Sequence, residues 1–194
     1  MARPVLSLIT ICLLITSNRS IVGRLHYYQK LKDDAAIGLS LVRQQHYDNA
    51  IEKLQEVLEV KPNDPDALTY LATAKLYKSR NFIEAEKSFE EAFRAGGGAA
   101  FWVNHSHEKL ANSEMADYCH GWLHLRKNKI EFVPENSDHS FSLGPNEITE
   151  VKQNRLAKSL FHLQYDKKTL NFKPRTGDES EVLLILILYK KFVQ

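Results

Sequence analysis

Apolar residues recur every three to four positions through the first half of the chain and every second position through much of the second half. Leu25, Tyr28, Leu31, Ala35, Gly38, Leu41 and Val42 share one face of a helix, and the polar run Arg43-Gln44-Gln45-His46 interrupts them. A second helix is expected over Tyr47 to Val60, with Ala50, Leu54, Val57 and Leu58 facing inward. The prolines of Lys61-Pro62-Asn63-Asp64-Pro65 stop it. Leu68, Leu71, Ala72 and Leu76 mark a third helix, and Phe82, Ala85, Phe89, Ala92 and Phe93 a fourth.

The two helix pairs align with each other. Tyr47-Asp48-Asn49-Ala50 matches Phe82-Ile83-Glu84-Ala85, which sets Ala50 and Ala85 35 residues apart, and Gly38 and Ala72 lie 34 apart. Small residues at these four positions allow two helices to approach closely, while Pro62 ends the first pair. Residues 31–95 resemble the tetratricopeptide repeat family in this period and these positions. The match departs from the family in having an extra residue near Ser79-Arg80-Asn81, Asp34 where an aromatic is usual, and Gly96-Gly97-Gly98 in place of a closing proline. The resemblance implies a scaffold that binds a protein or peptide. Its concave face would come from the first helices, 31–43 and 65–79, and would present Tyr70, Lys75, Tyr77 and Lys78. Two repeats fall short of the three or so that a free array needs, so the Ile21–Lys30 segment or the C-terminal half is expected to cover its ends.

Gly96-Gly97-Gly98 reads as a flexible break, after which alternation predicts strands. These are Phe101–Val103, Cys119–Leu125 and Ile130–Pro134 around the turn Arg126-Lys127-Asn128-Lys129, then His139–Leu143 and Ile148–Val151. Ser159–Tyr165 and Thr169–Phe172 follow, flanking Asp166-Lys167-Lys168. The final run Val182–Phe192 carries acids in front and lysines behind, which suits a helix dipole, although its β-branched residues would also fit a strand. As a helix it is apolar almost all round and should be heavily buried. Six or seven antiparallel strands closed by a helix, with Cys119-x-Gly121-x-Leu123-x-Leu125, Ile130-x-Phe132 and Leu170-Asn171-Phe172, resemble the bacterial pleckstrin-homology-like domains found beside tetratricopeptide repeats. The expected class is therefore α+β, with helical repeats over 24–98 and a small antiparallel β domain over 99–194.

The N-terminus departs from both patterns. Arg3 precedes 12 uncharged, mostly apolar residues, Val5 to Thr16, and the polar stretch Ser17-Asn18-Arg19-Ser20 follows. That layout predicts a secretory signal over residues 1–23, or a short membrane anchor, and hence an exported protein. The run is shorter than the roughly 17–25 residues that span a bilayer. Of the 194 residues, 26 are basic and 24 acidic, a balance that speaks against a nucleic-acid partner. The two cysteines, Cys12 and Cys119, leave no pair once the N-terminus is removed.

Candidate chemistry is sparse. His105 and His107, two apart on an extended segment, point the same way and could hold a metal with Cys119, His120 or His124, but no acid or cysteine stands at diagnostic spacing. No metal or other cofactor is therefore expected. Arg126, Lys127 and Lys129 gather in one turn, where contact with an anionic membrane is the alternative to an ordinary solvated turn. No serine lies in a Gly-x-Ser-x-Gly elbow, and Gly96-Gly97-Gly98 lacks the lysine of a phosphate-binding loop. The expected function is that of a non-enzymatic adaptor for a partner polypeptide, with an exported membrane-surface or metal-binding module as the alternative and a hydrolase the remotest. Any small-molecule ligand stays open.

Overall fold

The computed structural model describes residues 29–30, 33–106, 118–135 and 138–194. The expected signal segment, residues 1–23, and nearly all of the proposed end-covering segment lie outside them. Four helices come first: α1 (33–43), α2 (Tyr47–Val60), α3 (Pro65–Ser79) and α4 (Phe82–Arg94). Seven strands follow: β1 (Gly98–Ser106), β2 (Tyr118–Arg126), β3 (Lys129–Pro134), β4 (Phe141–Leu143), β5 (Ile148–Gln153), β6 (Phe161–Tyr165) and β7 (Lys168–Pro174). The chain closes with α5 (Glu179–Leu188), which runs on through one wider, π-type turn, Tyr189–Val193.

Local chemistry starts each helix where it begins. The carboxylate of Asp64 accepts from the backbone N–H of Asp66 and Ala67, and Pro65 takes the first position of α3, where a missing N–H costs nothing. Asn81 caps α4 through the N–H of Glu84, and Asp178 caps α5 through that of Ser180. Arg80 ends α3 in the left-handed region at φ 53°, which absorbs the extra residue seen in that turn.

The helices pack in sequence, and the small residues sit at the contacts. Ala50, Ala72 and Ala85 are buried. A β-carbon on Gly38 would come within 2.5 Å of the Leu54 side chain, so a larger residue there would have to push the buried Leu54 aside. Pro62 lies exposed in the turn after α2.

The strands form one antiparallel sheet in the order β4-β3-β2-β1-β7-β6-β5. It curls so that β4 comes against β6 and β7: the Phe141 ring of β4 lies 6.1 Å from Phe172 of β7 and 6.3 Å from Tyr165 of β6. The run Val182–Phe192, open to two readings in the sequence, is helical. α5 packs on β5, and its last turn lies on β2. The core of the curled sheet contains Phe101, Leu123, Phe132, Phe161 and Phe172. Strand order and terminal helix together give the pleckstrin-homology-like layout.

The junction between helices and sheet overturns one expectation. Gly96-Gly97-Gly98 is no flexible break. Gly97 and Gly98 are buried, and a β-carbon would lie 2.3 Å from the Pro65 carbonyl oxygen at Gly97 and 2.0 Å from that of Leu125 at Gly98. Gly97 and Gly98 are there because the chain passes between α3 and β2 with no room for a side chain, while Gly96, exposed, takes a positive φ of 88°. β7 pairs with β1 only over Val103–Ser106, so the first half of β1 has no strand on that edge. α3 takes its place. The Thr69 hydroxyl accepts from the Gly98 N–H at 3.0 Å, the Thr73 hydroxyl donates to the Ala100 carbonyl at 3.0 Å, and the Tyr77 hydroxyl accepts from the Trp102 N–H at 2.7 Å. Residues four apart on a helix rise about 6.0 Å, close to the roughly 6.6 Å spanned by two residues of a strand. Three hydroxyls on α3 thus stand in register with β1 residues 98, 100 and 102. The Arg175 N–H then bonds the Trp102 carbonyl at 2.9 Å, where β7 takes over.

Two outcomes are expected from this junction. Thr73→Val keeps the shape but leaves the Ala100 carbonyl without its donor, a loss of about 1–3 kcal/mol in urea unfolding. Residues 24–98 expressed without 99–194 should show no cooperative thermal transition, because the face of α3 that meets β1 would open to water. A sharp transition in that fragment would contradict the joint role of the ladder.

Candidate functional site

The four residues expected on an open recognition face are not brought together. Tyr70 and Tyr77 lie seven apart, on the side of α3 that turns to the sheet. Tyr70 is half-buried beside Asp66 and Arg126, and burial raises its phenol above the ordinary range. Tyr77 is buried, so its placement on an exposed concave surface is corrected: β1 covers that face. Lys75 and Lys78 point the other way, into a cleft of about 240 Å³ that also holds Ile51 of α2 and Ser88 of α4. Lys78 is paired there with Asp48.

Behind Tyr77 lies a carboxylate that the sequence reading missed. Glu181 of α5 is fully buried. Its Oε1 accepts from the Tyr77 hydroxyl at 3.1 Å, and its Oε2 from the Thr176 N–H at 3.2 Å and from the Thr176 hydroxyl. Burial pushes the Glu181 carboxyl up, against the pull of these donors, and holds the Tyr77 phenol well above its usual range. One chain of hydrogen bonds, Trp102 to Tyr77 to Glu181 to Thr176, therefore ties β1, α3 and α5 together.

The histidines do not converge on a metal site. His107 lies outside the described residues. His105 is buried, its ring stacked 5.0 Å from Phe172 and edge-on to Phe132 at 5.5 Å, with Nδ1 3.5 Å from the Cys119 sulfur. His120 bonds Asn104 on the exposed side at 2.8 Å. His124 is buried opposite Ala100, and burial, aided by Arg126, lowers it to about 4. Among the described residues no three His, Cys, Asp or Glu side chains are grouped to hold an ion. The basic turn is largely neutralised: Arg126 lies 3.6 Å from both Asp66 and Glu131, and Lys129 lies 2.6 Å from Glu131. No helix among the described residues is long and apolar enough to cross a membrane.

Two further clefts border the helix–sheet junction. One, of about 360 Å³, opens between α1 and the outer sheet face, over the edge-to-face pair Trp102 and Trp122 at 5.1 Å. Arg43 and Glu135, 2.8 Å apart, link α1 to the end of β3 beside it. The other, of about 640 Å³, lies between α4 and α5. The two helices meet near their C-termini, where Phe93 stacks on Phe192 at 4.2 Å and Glu90 pairs with Lys191. They diverge toward their N-termini, and there Ile83, Leu183 and Ile187 remain 75%, 44% and 45% exposed. The expectation that α5 is heavily buried holds for Val182, Leu184, Ile185 and Leu188, while Leu183 and Ile187 stay half-exposed in this cleft.

No family model matches the chain, and no curated protein matches it in sequence. Solved structures to which it is similar include inner membrane complex sub-compartment protein 3 from Toxoplasma gondii, at 8% identity and TM-score 0.39, covering 58% of this chain and 82% of that one. Another is the N-terminal PH domain of human ARAP2, at 13% identity and TM-score 0.34, covering 47% and 79%. The class of protein is fixed by strand order and terminal helix: an α+β protein whose pleckstrin-homology-like sheet carries a helical layer on β1.

His124 gives a pH signature for this region. Its folded value lies below the 6.5 of the unfolded chain, so the unfolded state binds the proton first. The stability from a neutral His124 is whole above pH 6.5 and is lost as pH falls toward about 4. The loss is about 3 kcal/mol if the site titrates alone. Urea unfolding between pH 7 and 4 should show this slope in the wild type and lack it in His124→Gln.

Proposed function

We propose that the chain is a non-enzymatic docking module for a partner polypeptide, built from two tetratricopeptide-type helix pairs fused to a pleckstrin-homology-like sheet. The observation that carries this reading is the hydroxyl ladder from Thr69, Thr73 and Tyr77 to β1. It makes helices and sheet one body, and a rigid composite surface binds with little ordering cost. The buried ionisable groups support the non-enzymatic part. Glu181 is saturated by Tyr77 and Thr176, and His105 is enclosed by Phe132 and Phe172, so these groups serve structure. The near-balance of 26 basic and 24 acidic residues argues for a polypeptide over nucleic acid. With Arg126 and Lys129 engaged by Asp66 and Glu131, contact between that turn and an anionic membrane is the weaker reading. The apolar run Val5–Thr16 supports export, and the docking would then take place outside the cytosol.

Photo-crosslinking in the native host tests the docking role. The full chain, carrying a photoreactive residue at Lys78, Val133 or Ile83 in turn, should capture the same polypeptide from at least one position, and the capture should survive washing at high salt. Failure to capture any polypeptide from all three positions, together with turnover of a small molecule by the purified chain, would overturn it.

A further inference from the structure

Two buried ionisable groups, His124 and Glu181, lie at opposite ends of the hydroxyl ladder. Glu181 sits behind Tyr77, at the Trp102 rung. His124 lies at the other end and is 9% exposed. It stands in register with Ala100, so the two side chains share the outer sheet face, and the Ala100 carbonyl takes the Thr73 hydroxyl. The next residue of β2 on that face, Arg126, stands opposite Gly98, whose N–H is held by Thr69. The charges around His124 are Arg126 on its own strand, Glu131 on β3 and Asp66 on α3. Tyr70 of α3 lies beside Asp66 and Arg126, and Lys129 of β3 beside Glu131. From β1 that face receives Gly98, Ala100 and Trp102, none of which titrates.

A charged imidazole at this position needs water or an uncommitted carboxylate. Both nearby carboxylates are already engaged: Arg126 lies 3.6 Å from Asp66 and from Glu131, and Lys129 lies 2.6 Å from Glu131. Arg126 itself repels a second cation. A protonated ring therefore gains by reaching solvent, and what covers that face is α3, fastened there by the Thr69 and Thr73 hydroxyls. Burial and Arg126 keep His124 neutral near pH 7. Glu181 responds in the opposite sense. Burial raises its carboxyl, so the folded state binds that proton the more firmly, and acid favours the closed form at the Trp102 end. Acid thus acts on the two ends of α3 with opposite signs. We propose that the junction is an acid-operated hinge: protonation of His124 releases the Thr69 and Thr73 rungs and lifts the N-terminal half of α3 from the sheet, while the Tyr77–Glu181 rung holds as the pivot. The face so uncovered carries Gly98, Ala100 and His124, which α3 shields at neutral pH. This hinge is independent of the docking role above.

Amide hydrogen exchange of the full chain, followed by NMR and normalised to intrinsic rates, tests the hinge because it reads each rung separately. Between about pH 6.5 and pH 4.5 the protection of the Gly98 N–H should fall at least tenfold, while that of the Trp102 N–H changes less than threefold. The His124 ring resonances should titrate in step with the Gly98 loss. In His124→Gln, which keeps Asp66, Arg126 and Glu131, the protection of Gly98 should stay level over the same range. Glu181→Gln, neutral throughout, should leave the Gly98 response as in the wild type. Three results would overturn the hinge: Gly98 and Trp102 losing protection together, Gly98 keeping its protection while the His124 ring titrates, or the Gly98 loss persisting in His124→Gln. The first and second are read in the wild type alone, so the hinge can fail even if neither variant folds.

Discussion

The structure depends on how the first half of β1 is completed. A strand inside a sheet exposes N–H and C=O groups on both edges, and a buried edge with no partner is untenable. Here β2 serves one edge throughout, while β7 reaches only Val103 onward on the other. Along the remaining stretch, Gly98 to Trp102, three of these groups are met by side-chain hydroxyls from a helix. Thr69 and Tyr77 accept while Thr73 donates, matching the alternation of N–H and C=O along the strand. The Thr69 and Tyr77 hydroxyls are used twice, since Thr69 also donates to the Pro65 carbonyl and Tyr77 to Glu181. This double use makes the junction sensitive to conservative change. Replacing Tyr77 by a side chain without oxygen leaves the Trp102 N–H without its acceptor and Glu181 without one of its donors, and replacing Thr69 leaves the Gly98 N–H without its acceptor.

Much of the architecture could be read from the chain, because periodicity reports which face is buried. The period of three to four gave all four helices, and the period of two gave the strands and their turns. Asn128, Asp166 and Lys167 take the positive φ that those tight turns require. Long-range satisfaction of polar groups was not legible. Thr69, Thr73 and Tyr77 at i, i+4 and i+8 look like ordinary polar positions on a helix exposed on one side, and only the sheet reveals that this side is buried too. The one local sign was Glu181. An acid directly before seven apolar residues reads as a helix-dipole partner, which Glu179 in the same turn satisfies equally well, so the buried role of Glu181 stayed hidden. Tyr77 was misplaced for the same reason. Its position on the inner helix of a pair indicates a concave face, but not that another part of the same chain already fills it.

The cleft residues were missed for a different reason. Ile83, Leu183 and Ile187 are apolar, and the default reading of apolar residues at helical spacing is core. What leaves them exposed is the opening between α4 and α5, helices that are joined among other contacts by Phe93 on Phe192 and Glu90 with Lys191. An opening set by how two helices pack leaves no trace in the local pattern of either. The small positions behaved otherwise: Gly38, Ala50, Ala72 and Ala85 mark close approaches that depend on neighbours already expected from the repeat.

The ladder also restricts how such a protein can change in length. A helical array ordinarily grows by duplicating a pair anywhere along it, since each unit contacts only its neighbours. Here the turn from α4 into β1 must return the chain past Pro65 through Gly97, with no room for a side chain, while α3 keeps its hydroxyls in register with residues 98 to 102. A pair inserted between α4 and β1 would carry the strand away from the helix that completes it. A single residue inserted within α3 between Thr69 and Tyr77 would rotate one rung about 100° off the sheet. Duplication is therefore excluded on the side of β1, where the geometry of a single strand fixes the end of the array.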